Sequence, residues 1–119
     1  MISWLEKNNK ISWIITLFIA IIIFYLSSLT FKNKGSSSGN VSYIYHFSIF
    51  FLLGFFFLIS IKRKNILIGI LILFIYAISD EIHQLFVPGR SFSIIDIFTD
   101  FLGITISGII LIIPKIRNR

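Results

Sequence analysis

The chain contains no cysteine, which excludes a disulfide framework, a thiolate metal site and a thiol nucleophile. Charge is sparse. Only 13% of the 119 residues are charged, with five acids against eleven Lys and Arg. No nucleic-acid-binding motif accompanies the basic residues, so no DNA or RNA partner is expected. There is also no internal repeat, low-complexity tract or second domain. What is abundant is apolar: 56% of the chain is hydrophobic and the mean hydropathy is +0.94. One soluble core of this length cannot hide that much apolar surface, so the natural solvent is lipid. The richness in Ile, Phe, Lys and Asn follows AT-rich codon usage and hints at a bacterial source.

Four long apolar runs cover residues 11–31, 41–61, 66–87 and 94–113. Each approaches the roughly 20 residues that a helix needs to cross ~30 Å of hydrocarbon. The expected fold is therefore an all-α integral membrane protein, a four-transmembrane-helix bundle forming one domain over residues 1–119. Lys7 and Lys10 make the first run resemble a signal peptide, but it is too long and lacks a small-x-small cleavage site, so it reads as a retained helix. The third run is continuously apolar only to Ile78, after which Ile82, Leu85, Phe86 and Val87 carry the pattern past Asp80 and Glu81. That helix should stop near Val87, because the residue before a proline disfavours α geometry. A polar loop over 32–40, a basic turn at Lys62-Arg63-Lys64 and the Pro88-Gly89-Arg90 turn join the spans.

Lys and Arg counts set an orientation. Lys7, Lys10, Lys62, Arg63, Lys64, Lys115, Arg117 and Arg119 fall on one side, leaving Lys32, Lys34 and Arg90 on the other. The positive-inside rule then places both termini in the cytoplasm, N-in and C-in. Trp4 and Trp13 bracket the first span as interfacial anchors.

The intramembrane polar residues fall at one depth. Counting from the outer helix ends, His46 lies at ~8 Å, Asp80 at ~10 Å, Glu81 at ~9 Å, His83 at ~6 Å and Asp100 at ~9 Å. Ser27 and Ser28 reach a similar level on the first span. Charges facing lipid there would cost at least about 2 kcal/mol each, so they should converge on a cavity open to the outer face. Structural readings stand beside this. Ser93 and Asp96 form an S-x-x-D pattern that caps a helix start. Asp100 shares a face with Asp96 and can pair with Arg90, His46 can bridge helices by hydrogen bonding, and Gln84 and the serines can act as bundle glue. Gly103 and Ser107 make a small-xxx-small pair that permits close helix approach.

The densest cluster is Asp80-Glu81-Ile82-His83-Gln84. On a helix Asp80, His83 and Gln84 share a face, and Glu81 points about a quarter turn away. Crowded carboxylates beside an imidazole suit acid/base work or electrostatic recognition. A divalent cation is the other use of such groups, but a single D-x-x-H is too little for a metal site, and none is expected. No cofactor can be named. Four acids face one arginine and two histidines, so a pocket there would take up protons, a cation or a cationic ligand; an anionic phosphate fits only near Arg90 and the start of the last helix.

These residues resemble the VanZ-like family of bacterial membrane proteins. The match comprises Ser28, Tyr45-His46-Phe47 with Leu53-Gly54, the run from Ser79 to Gln84, Phe86-Val87-Pro88-Gly89-Arg90, and Asp96 with Gly103. Asp100 departs from the family's usual Asn one turn after Asp96. The resemblance implies His46, Asp80, Glu81, His83, Gln84, Arg90 and Asp96 as site residues, and a link to resistance against teicoplanin, a lipoglycopeptide that binds cell-wall precursor termini. The expected function is an outward-facing polar pocket that binds or modifies a membrane lipid or lipid-linked cell-wall precursor at the bacterial cell membrane. Asp80, Glu81 and His83 would act as acid/base groups, with His46, Gln84, Arg90, Asp96, Asp100 and Ser28 binding. The alternative is a noncatalytic accessory protein that limits antibiotic access to the envelope. A proton or ion conductor is disfavoured, because the inner halves of the spans carry almost no polar residues.

Overall fold

The computed structural model describes residues 2–28, 39–88 and 94–117, with side chains for 2–28, 43–88 and 94–113. Five helices follow in order: α1 (Ile2–Lys7), α2 (Asn9–Ser28), α3 (Gly39–Ser60), α4 (Ile66–Leu85) and α5 (Ile94–Arg117). There is no strand among the described residues. Helices α2 to α5 are each long and apolar enough to cross a membrane, as the four runs predict, and the chain is an all-α multi-pass membrane bundle.

The boundaries differ in instructive ways. Leu29 to Phe31 and Arg90 lie outside the described residues. Helix α4 runs through Asp80 and Glu81 and ends at Leu85, where Phe86 N–H donates to His83 O at 3.0 Å and Val87 N–H to Gln84 O at 3.2 Å. These tighter bonds close the last turn before Pro88, which cannot continue the helix. Helix α5 continues past residue 113 to Arg117. The N-terminal arm holds a helix that the run lengths did not reveal, since α1 is one short segment of mixed polarity. It buries Leu5 in the core, and Ser12 Oγ donates to Leu5 O at 3.3 Å.

Each spanning helix buries a stripe at three- and four-residue spacing. In α2 the stripe is Ser12, Thr16, Ile19, Ile23 and Ser27; in α4 it is Ile66, Gly69, Leu73 and Ala77, then Asp80, Glu81 and Gln84. Helix α3 buries His46, Phe50, Leu53, Gly54 and Leu58, and α5 buries Asp100, Gly103, Ile104, Ser107 and Leu111. The opposite face of α4 exposes Leu67, Leu71, Ile75, Ile78 and Ile82, as a lipid-facing side requires. Every inward stripe therefore passes through an apolar belt and finishes in polar residues at one end of the bundle.

The α3–α5 interface is the most extensive in the molecule. A Cβ at Gly103 would lie 2.6 Å from Phe47 O and 3.0 Å from Phe51 N, so the two backbones touch there. Gly54 is the second close approach, where a Cβ would meet Ser107 Oγ at 2.4 Å. Without a hydrophobic force between helices in lipid, such contacts hold a bundle together by dispersion.

The other end of the bundle is knitted by polar contacts. Lys62 N–H donates to Ile59 O at 2.7 Å and Arg63 N–H to Leu58 O at 2.9 Å, closing α3 in a Schellman motif. Lys62, Arg63 and Asn65 take left-handed backbone conformations, with φ of 58, 55 and 51°. That geometry is strained for Lys and Arg and easier for Asn. It aims the Arg63 guanidinium at Glu6, where Nε and Nη2 engage both carboxylate oxygens, and Nη1 donates to Leu111 O at 3.4 Å. One arginine thus ties α1, the α3–α4 turn and α5. Asn9 Nδ2 adds a bond to Ser60 O at 3.4 Å.

Candidate functional site

At the opposite, acidic end the side chains form two sets. The first joins α2 to α4. Ser27 Oγ donates to Asp80 Oδ1, and Gln84 Nε2 lies 3.5 Å from Ser27 Oγ. Beside these contacts, Ser28 Oγ and His83 Nε2 are 2.9 Å apart. The His83 ring stacks on Phe24, with centroids 4.6 Å apart and an interplanar angle of 22°. Asp80 and Gln84 are buried, whereas Ser28 is exposed and His83 partly buried. The face shared by Asp80, His83 and Gln84 is thus the face turned to α2.

The second set joins α3 to α5. His46 Nδ1 lies 2.8 Å from Asp100 Oδ1, and its Nε2 lies 3.6 Å from Asp96 Oδ2. The first contact is a hydrogen bond, and the second is a longer electrostatic one. His46 is 3% exposed and Asp100 fully buried. The second oxygen of Asp100, Oδ2, has no hydrogen-bond partner among the described residues. Tyr45 packs edge-on to the His46 ring at 5.3 Å. The Asp100–His46 contact is made at the α3–α5 seam itself, one turn from the backbone contact at Gly103.

Glu81 lies on α4 beside Asp80. It is fully buried, and its quarter-turn offset from Asp80 directs it away from α2. Among the described residues no group of three His, Asp or Glu side chains is arranged to hold a metal ion. The expectation for Arg90 and the Ser93 cap falls outside the described residues, although Asp96 does lie in the first turn of α5.

Some participants escaped sequence reasoning. Phe24 could have been found as the residue one turn before Ser28, and the Ser27–Asp80 bond from the shared depth of the two. Nothing in the local pattern distinguishes Glu6 as the partner of Arg63, a contact that spans 57 residues. The basic half of the bundle is also less apolar than its run lengths imply. Ser12, Thr16 and Ser60 are buried there, but their hydroxyls bond Leu5 O, Ser12 O and Phe57 O within the backbone.

Fold and side chains together define a multi-pass membrane protein with a buried, acid-rich polar layer at one end of its bundle. The VanZ/LLP1 family model matches residues 4–115, nearly the whole chain, and the chain belongs to that family. No curated protein and no solved structure matches it.

Proposed function

We propose that this layer is the binding site, at the outer leaflet, for a membrane lipid or lipid-linked cell-envelope molecule, which it binds and chemically alters. The observation that carries the reading is the burial of three carboxylates, Asp80, Glu81 and Asp100, within apolar spans beside two imidazoles. Ionisable groups at membrane depth cost about 2.5–3.5 kcal/mol each, and spanning a bilayer needs none of them. Close packing at Gly103 and Gly54 already joins the helices, so adhesion alone does not account for three buried acids at one level. Asp80, Glu81 and His83 supply acid/base capacity, and Ser28, His46, Gln84, Asp96 and Asp100 shape and polarise the site. Arg90, adjacent in sequence, is the cation that would meet an anionic part of the ligand.

The test expresses Asp80→Asn, Glu81→Gln and His83→Gln variants in a teicoplanin-sensitive bacterium. Protection against the drug and the amount of folded protein are measured together, and lipids retained on purification are identified by mass spectrometry. Loss of protection and of a specific lipid, with folded protein unchanged, is the expected result. Parallel loss of fold and protection would make the cluster structural glue and end the proposal. A graded decline across all variants would favour the noncatalytic accessory role. Because the chain is cysteine-free, single cysteines at Lys64 and Pro88 report orientation by thiol labelling from either side. The outward-facing site requires labelling of position 88 from outside.

A further inference from the structure

We infer that Ser28 is a nucleophile, with His83 as its general base, in acyl transfer from an ester-linked lipid. This rests on the reading above that the site alters its ligand. The two serines at the end of α2 have separate environments. Ser27 is buried and committed to Asp80 and Gln84, whereas Ser28 is exposed and faces an imidazole nitrogen at 2.9 Å. Hydroxyl and ring nitrogen within hydrogen-bond reach, with the ring held in place, is the arrangement that nucleophilic catalysis needs. Phe24 does the holding by stacking on His83.

Ser79 provides an internal contrast. Both serines are exposed, and both donate to the carbonyl four residues earlier, Ser28 to Phe24 O at 2.9 Å and Ser79 to Ile75 O at 2.8 Å. That bond is the ordinary resting place of a helical serine. Ser28 alone of the two has a second acceptor at equal distance, the His83 ring, so its one proton can be handed from the carbonyl to the base.

The surroundings select the substrate. Phe24, stacked on the His83 ring, is itself exposed, as is its neighbour Tyr25, so an acyl chain reaches the pair from lipid. The charged side chains described at that end are the acids Asp80, Glu81, Asp96 and Asp100, which opposes an anionic phosphoryl centre and favours a neutral carboxylic ester. In the step itself, Ser28 Oγ bonds to the ester carbonyl carbon while its proton passes to His83 Nε2. The tetrahedral intermediate collapses by breaking the bond to the alcohol oxygen, which takes the proton from His83 and departs. Water, or the hydroxyl of a second envelope molecule, then attacks the acyl carbon with His83 again accepting its proton; the acyl–Oγ bond breaks, that proton returns to Ser28 Oγ, and the acyl group leaves as the carboxylic acid or the new ester.

An alkyl fluorophosphonate applied to the purified full chain in nanodiscs, followed by intact-mass analysis and peptide mapping, tests this. One adduct is expected, on Ser28 and not on Ser79. It should vanish in Ser28→Ala, persist in Ser79→Ala, and form on the order of 100-fold more slowly in His83→Gln, with size-exclusion profiles and helicity unchanged. No adduct on folded protein, equal modification of Ser28 and Ser79, or a rate indifferent to His83→Gln would each overturn the assignment. Retention of lipid through Asp80 and Glu81 reads binding instead of covalent chemistry, so it can stand when this assignment falls.

Discussion

The two ends of the bundle solve the problem of buried charge in opposite ways. At the basic end the one acid, Glu6, meets Arg63 through both carboxylate oxygens, and a backbone carbonyl of α5 takes up a further N–H. The partly buried carboxylate and guanidinium are matched one to one, and the hydroxyls nearby bond backbone oxygens. At the acidic end Asp80, Glu81, Asp96 and Asp100 cluster on α4 and α5, and the partners described for Asp80, Asp96 and Asp100 are a serine and a histidine. The first end resembles a clamp. The second gathers acids and imidazoles from three helices in one buried layer, the feature on which the proposed site rests.

The comparison can be broken most severely along the seam that carries both ends. Gly103→Ala drives a methyl into the α3 backbone beside Phe47, where nothing can rotate away. A loss of about 3 kcal/mol is expected, with the His46–Asp100 contact disrupted as the helices separate. Gly54→Ala meets only the Ser107 hydroxyl, which can turn, so about 1 kcal/mol is expected there. Thermal unfolding in detergent distinguishes the two, and equal losses would contradict the backbone contact at Gly103.

At the basic end, Arg63→Gln leaves Glu6 partly buried without its guanidinium. A fully buried pair broken in this way costs 3–5 kcal/mol, but the side chains here are 14% and 18% exposed, so about 2 kcal/mol is expected. The double variant Glu6→Gln/Arg63→Gln should recover about half of it, and a double-mutant cycle measures the coupling. Protection against teicoplanin should follow folded protein in both variants. A loss of protection with folded protein intact would make the clamp part of the functional site.

Smaller stability effects are expected at the acidic end. Asp100→Asn preserves shape and can still accept from His46, so unfolding should shift by less than about 1 kcal/mol while the retained lipid is lost. A large destabilisation would erase the contrast between the ends. Asp96→Ser is the mildest change, because serine can still serve the first turn of α5 and the His46 Nε2 contact is long, at 3.6 Å. Lipid retention falling only severalfold is the expected readout.

The spans were legible because crossing a bilayer imposes a length and a polarity that no neighbouring helix supplies. Apolar runs therefore announced α2 to α5, and the helical rise alone brought His46, Asp80, Glu81, His83 and Asp100 to one level. The same periodicity separated Glu81 from the face of Asp80 and Gln84. Pairings were not legible. Depth says that His46 and Asp100 are level, but only the backbone contact at Gly103 brings α3 and α5 close enough for a 2.8 Å bond. Likewise Ser27 and Ser28 are neighbours in sequence, and the rotation of α2 against α4 sends one into the core and leaves the other exposed beside His83. Short α1 escaped notice because a six-residue helix has almost no stability of its own and exists through Leu5 and Glu6. Local patterns determine what each segment must be in lipid; which side chains touch is decided by helix rotation and close packing, which depend on all the segments at once.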